Sequence, residues 1–161
     1  MGCRGTRYLV RPQDRFIGLH IMRYGAFDAE KIETALALLD DNGIDVTQVL
    51  DIGANIGTTT VEILCRRPTA TAVAFEPGPQ SSEPLRMNLI ANRLDGRAQA
   101  RQIALGDTNG SVTLELAHRN FGDHRVRLTD APTEGDLGEE RRTTTTVPDS
   151  KLDDVDWPDG R

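Results

Sequence analysis

The sequence predicts an α/β fold built on a parallel sheet with helices on its faces. Three observations carry that expectation. Short apolar runs alternate with helical patterns from residue 48 to residue 105, in the order strand–helix–strand–helix–strand, as in parallel-sheet domains. The first run, "VLDI", passes directly into the glycine turn "GANIG" and then into a helical start. The chain has 161 residues, 37% of them hydrophobic and 27% charged, enough for one domain with a real core. Right-handed crossovers then place the second strand beside the first and the third beyond it.

The elements follow in order. "YLV" and "FIGLHIM" flank the turn-like "RPQD", which suggests a small N-terminal hairpin or an extended lead-in. Ile32, Ala35, Leu36 and Leu39 form one apolar helical stripe. Asp28 and Glu30 suit that helix's positive N-terminus, and "DNG" at 41–43 stops it. "QVLDI" at 48–52 is a strand, 58–66 a helix ending before Pro68, and "TAVAF" at 71–75 a second strand. "SSEPLRMNLIANRL" opens with serine caps and carries Leu85 and Leu89 on one face. "AQARQIAL" is the third strand. Beyond Gly106, "TNG" is a turn and "SVTLEL" alternates like an exposed strand. Residues 118–142 read as a long polar loop. "TTTTV" is a strand paired with "SVTLEL", "SKLDDV" a short helical turn, and "DWPDG" a further turn.

Composition narrows the function classes. The net charge of −6 gives no general nucleic-acid footprint. No apolar run approaches the roughly 18 residues of a membrane span, and the first 20 residues lack the apolar stretch of a signal peptide. Cys3 and Cys65 make no disulfide framework and no metal cluster. They fit a reducing, cytoplasmic setting, with Cys65 as a small core residue. Histidines at 20, 118 and 124 are too scattered for a metal site.

The glycine turn carries the chemistry. In open α/β sheets ligands sit beyond the carboxyl ends of the strands, where Gly53 and Gly57 lie. Gly53 permits a backbone geometry that a Cβ hinders, and Gly57 permits close packing of turn and helix. The dinucleotide fingerprint G-x-G-x-x-G fails where Asn55 replaces its second glycine, and the phosphate loop fails for want of a lysine. Asp51, two residues before Gly53, is a poor neighbour for a pyrophosphate and a good one for a cation. S-adenosylmethionine has an ammonium, a sulfonium and no phosphate. Glu76 ends the second strand, where an acid accepts hydrogen bonds from two ribose hydroxyls.

"LDIGANIG", "AFEPGP", "LRMNLIAN", "ALGDTNGSVTL" and "KLDDV" stand in an order and spacing that resembles the FkbM-type methyltransferases over residues 45–155. These are class I, Rossmann-like enzymes that use S-adenosylmethionine, many of them O-methyltransferases of sugars or natural products. The resemblance implies that Asp51, Gly53, Asn55 and Gly57 form the methionine side of the pocket. It makes Glu76 the ribose acid and puts Ala104 by the adenine. Asn88 and Asn92 match the family's paired asparagines, for which a structural role is favoured. Asp107 stands near the adenine end, where a turn acid is the plainer reading. His118 and His124, beside Asp123, are the available bases, and no catalytic residue is assigned.

One departure matters. The family continues past "LDD" into a fourth strand that lies against the first, and no such strand follows here. The expectation is an N-terminal portion: residues 1–44 as lead-in and helix, and 45–161 as the S-adenosylmethionine-binding half of a methyltransferase domain, with a β-hairpin after the third strand. The implied acceptor is a small molecule or glycan, with neither nucleic acid nor membrane as partner. The uncovered "VLDI" edge invites self-association. The competing readings are a non-catalytic fragment and a nucleotide- or NAD-binding Rossmann domain.

Overall fold

The computed structural model describes residues 5–127 and 142–155. Most of the predicted polar loop, Cys3 and the "DWPDG" turn lie outside them.

Two helices, α1 (Ile17–Tyr24) and α2 (Ala29–Asp41), precede a parallel sheet of β1 (Gln48–Ile52), β2 (Thr71–Phe75) and β3 (Ala98–Arg101). The crossovers are α3 (Thr58–Arg66) and α4 (Pro79–Ala91). The strand order is β1-β2-β3, as the crossover rule requires. β1, α3 and β2 have the bounds read from the sequence. The core lies between sheet and helices, where Val61, Leu64, Leu85 and Leu89 pack on Ala72, Ala74 and Ala98.

A second sheet holds β4 (Ala104–Leu105), β5 (Gly110–Leu116), β6 (Arg125–Val126) and β7 (Thr143–Ser150), in the order β4-β7-β5-β6. The expected pairing of "SVTLEL" with "TTTTV" is present and antiparallel, Val112 opposite Val147. Lys151 is followed by a 3-10 turn, Leu152–Asp154.

Four local expectations need correction. "FIGLHIM" is helix, not strand: the Asp14 carboxylate, two residues before the N-cap Phe16, accepts the Phe16 and Gly18 N–H groups at 3.1 Å each and so satisfies N–H groups at the start of α1. Ser81 and Ser82 do not cap α4. The cap is Gly78, Pro79 takes the first helical position, and both serines lie buried in the first turn. The third strand is two strands. After Arg101 the chain crosses to the second sheet, so Ile103 and Leu105 pack with Val73, Phe75 and Val155 while Ala104 joins Leu114, Leu116 and Val147. Cys65 is buried in the main core, but it is disulfide-bonded rather than a free thiol. The reducing setting expected for it therefore finds no support.

The lead-in is held by the two asparagines of α4. Asn88 accepts the Leu9 N–H at 2.6 Å and donates to the Leu9 carbonyl at 3.2 Å. Asn92 treats Arg7 the same way, at 2.9 and 2.8 Å. Four helical residues advance ~6 Å and two extended residues ~6.6 Å, so the amides match alternate residues of the segment as a neighbouring strand would. Tyr8, between them, sends its hydroxyl to the buried Glu62 at 3.0 Å. Asn88 also donates to the Ile56 carbonyl at 2.8 Å, which ties the lead-in to the glycine turn.

Candidate functional site

The carboxyl ends of β1 and β2 carry one acid each, and the glycine turn runs between them. The turn is fixed by positive backbone angles at Gly53 (φ 79°), Asn55 (φ 50°) and Gly57 (φ 86°). The Gly53 and Ala54 N–H groups both donate to the Phe75 carbonyl at 2.9 Å, which seats the turn on the end of β2. At Gly57 a Cβ would stand 2.6 Å from Leu85 Cδ1, so helix α4 packs directly on this backbone. At Gly53 the same position faces open space, which leaves room for a ligand against the turn.

Asp51 lies at the N-terminus of α3. Its Oδ2 accepts the Thr60 hydroxyl at 2.5 Å, and the Thr60 backbone N–H also bonds it. The positive end of α3 is thus already met by a carboxylate. Burial nevertheless raises the Asp51 pKa, against the lowering effect of those two bonds. Glu76 is buried, with Oε2 accepting the Asn55 N–H at 2.9 Å and Oε1 the Gly78 N–H at 2.7 Å. Burial raises its pKa as well. Its two backbone bonds oppose the shift, and the charge of Asp51 adds to it. Each acid keeps acceptor capacity: a carboxylate has about four lone-pair sites.

The Asn55 side chain reaches the segment that follows β5. Its Nδ2 donates to the Phe121 carbonyl at 3.0 Å, and its Oδ1 accepts the Ile56 N–H at 2.7 Å. It joins the glycine turn to a 3-10 turn, Phe121–Asp123, which lies over the Glu76 end. Arg119 and Gly122 in this segment meet α1: the Arg15 N–H donates to the Arg119 carbonyl at 2.8 Å, and Ile17 lies against Gly122. His124 follows the turn, close to Gly78. His118 and Asp107 are exposed. Ala104 is in β4, paired with Asp149.

The structure therefore brings Asp51, Gly53, Asn55, Gly57 and Glu76 together and sets Ala104 in the second sheet's core. Thr60, Gly78, Phe121 and His124 belong to the same neighbourhood; among them only His124 is singled out by the sequence, as an available base. Thr60 had a signal, since it stands on the first turn of the helix that follows Asp51. Gly78 stands two residues after Glu76; the contacts of Phe121 and His124 come from a segment more than 40 residues downstream, which no local pattern reveals. Among the described residues no cluster of metal-binding side chains occurs, and no helix is long and apolar enough to cross a membrane.

Comparison with known proteins adds two findings. The profile of the methyltransferase FkbM domain matches residues 51–161, more than half of the chain. A protein from Beauveria bassiana (strain ARSEF 2860), described as "Methyltransferase 1", is 33% identical over 70 residues. That stretch covers 44% of this chain and 28% of the fungal protein, so the chain spans under a third of that relative's length.

Proposed function

The chain belongs to the FkbM methyltransferase family, and on that premise we propose that it binds S-adenosylmethionine and serves methyl transfer to a hydroxyl of a small-molecule or glycan acceptor. The observation that carries the donor assignment is the pair of carboxylates, half-buried Asp51 and buried Glu76, flanking the open face of Gly53. An acid at the end of β1 suits an ammonium, and an acid at the end of β2 suits a diol. A pyrophosphate finds no counterpart, because Asp51 already occupies the helix terminus that would receive it. That weighs against the NAD reading.

In this assignment Asp51 and the Gly53 face hold the cationic amino-acid end, and Glu76 holds the ribose. When bound, the donor supplies a methyl group on a sulfonium, with a neutral thioether as leaving group. The protein's part is to position the acceptor oxygen in line and to exclude water. The test is calorimetry on the full-length protein. S-adenosylhomocysteine is expected to bind and NAD not to. Glu76→Ala is expected to weaken binding by about 1–3 kcal/mol. Tight NAD binding, or unchanged affinity in Glu76→Ala, overturns the donor assignment.

The acceptor side we place beyond the described sheet. Among the described residues β1 has no partner on the side away from β2, and Leu50 and Ile52 are 49% and 60% exposed. A half-covered strand with apolar side chains and unpaired backbone groups supports the reading that further chain, or a second copy, covers it. The 161-residue chain alone is expected to self-associate and to lack methyl-transfer activity. Size exclusion should show Ile52→Lys shifted toward monomer. A monomeric, active 161-residue protein contradicts this placement.

A further inference from the structure

We propose that the exposed face of α1 docks on an anionic lipid surface. Such docking needs no span, because a helix can lie along the surface in the headgroup layer, and it is independent of the donor assignment above. The lack of a long apolar helix among the described residues bears on spanning alone.

The helix hides one side and shows an apolar other. Gly18 and Ile21 are buried, and Ile17 lies against Gly122. On the opposite side Phe16, Leu19 and Arg23 follow i, i+3 and i+7, flanked by Met22 and Tyr24. All five are exposed. At 71% and 64%, Met22 and Tyr24 are the most exposed large hydrophobics of the described residues. Scattered singly, such side chains need no partner; gathered on one helix face, they mark an interaction site.

Charge selects the occupant. Residues 1–27 contain five arginines and a single acid, Asp14, in a chain of net charge −6. That acid cannot neutralise the surface arginines: it is buried, and both its oxygens accept backbone N–H groups. Asp28, the next acid, pairs with Lys31 at 2.8 Å. Among the described residues no ion pair engages Arg15 or Arg23, and both are exposed. The Arg23 guanidinium lies 5.4 Å from the Tyr24 ring centroid. The His20 ring meets those of Tyr24 and Phe27, at 4.7 and 5.3 Å between centroids. Tyrosine and arginine, each an apolar body with a polar tip, suit the boundary between headgroups and acyl chains. A symmetric second copy would set the same arginines against each other, like charges opposed. Anionic headgroups answer them instead, while Leu19 and Met22 enter the acyl boundary. The acidic remainder of the chain turns away from such a surface, which orients the molecule.

The test is co-sedimentation of the full-length protein with vesicles of phosphatidylcholine alone, and of phosphatidylcholine and phosphatidylglycerol in equal parts. Binding to the anionic vesicles is expected to be about tenfold the stronger, and to fall with added salt. Met22→Asp should weaken it about tenfold, and Arg23→Glu, which reverses a charge at the surface, about 30-fold. Both side chains are exposed, so circular dichroism should show both variants folded. Ile90→Asp, on the exposed side of α4, is the control and should bind as the wild type does. No binding to the anionic vesicles overturns the proposal, as does equal, salt-independent binding to both compositions. So does an equal loss in Ile90→Asp, or no loss in the two α1 variants. Dimers that Met22→Asp dissolves, with no vesicle binding, also overturn it and make the face an interface between copies.

Discussion

Asn88→Ala is expected to destabilise the fold by about 3–5 kcal/mol, a large part of the roughly 5–15 kcal/mol that holds a typical domain together. Asn88 is fully buried, and three backbone groups depend on its amide: the Leu9 N–H, the Leu9 carbonyl and the Ile56 carbonyl. Alanine leaves all three without their partner. It also cuts the link between the lead-in and the glycine turn. Asn88→Asp should be nearly as damaging. It keeps an acceptor for the Leu9 N–H but turns a carboxylate toward two carbonyl oxygens. Asn92→Ala removes the partner of the Arg7 N–H and carbonyl, while the Asn88 carbonyl, which the Asn92 amide also meets, keeps the Asn92 backbone N–H; it should be milder, about 1–2 kcal/mol. Urea denaturation of the three variants checks the order. A loss of under about 1 kcal/mol in Asn88→Ala would show that water replaces the amide, and that the pseudo-strand contact is incidental.

The parts of this fold that the sequence discloses are those where one local rule acts alone. β1, α3 and β2 are bounded by an acid, glycines and Pro68, and nothing distant competes there. α1 was hidden because its apolar residues fall on two faces. Ile21 is buried while Leu19 and Met22 are exposed, and the run reads as continuous. Its start is supported by the Asp14 carboxylate, which accepts the Phe16 and Gly18 N–H groups from two residues before the N-cap, inside a stretch that reads as a turn. The break after Arg101 was hidden for a different reason. Its cause is a partner strand, β7, more than 40 residues away.

The site was legible to the same degree. Asp51, Gly53, Gly57 and Glu76 are marked by their places at strand ends, and the structure sets them around one turn. The family resemblance groups Asn55 with the ligand side, and its side chain fastens the turn to Phe121, 66 residues downstream. The wall over Glu76 comes from a stretch that looks like an ordinary polar loop. Its order derives from Asn55, Ala117 and α1 rather than from its own composition.

Asp51→Asn is expected to weaken S-adenosylhomocysteine binding by about 30- to 150-fold and to make the unliganded protein more stable at neutral pH. Both effects come from one half-buried charge. Burial holds the Asp51 carboxyl above its ordinary value of 3.8, despite its bonds to Thr60. A carboxyl with a raised pKa binds its proton more tightly in the folded chain than in the unfolded one. Its contribution to stability is therefore full below the ordinary value and is lost as pH rises through the folded value. Glu76, also raised chiefly by burial, acts with the same sign. Asparagine keeps an oxygen for Thr60 and removes the charge, so the variant should gain on the wild type as pH rises through that window. Below it the two should converge. A cationic ligand reverses the balance, because an ammonium beside Asp51 favours the ionised form. Wild-type affinity should then fall as pH drops into the same window, and asparagine should abolish that dependence. Urea denaturation and calorimetry at about pH 4 and about pH 7.5 separate the two effects. If Asp51→Asn proves less stable than the wild type at the higher pH, the carboxylate serves α3 more than burial opposes it. If affinity is unchanged, the cation lies elsewhere. Only a gain in stability together with a loss of binding identifies Asp51 as a charge kept half-buried for a ligand.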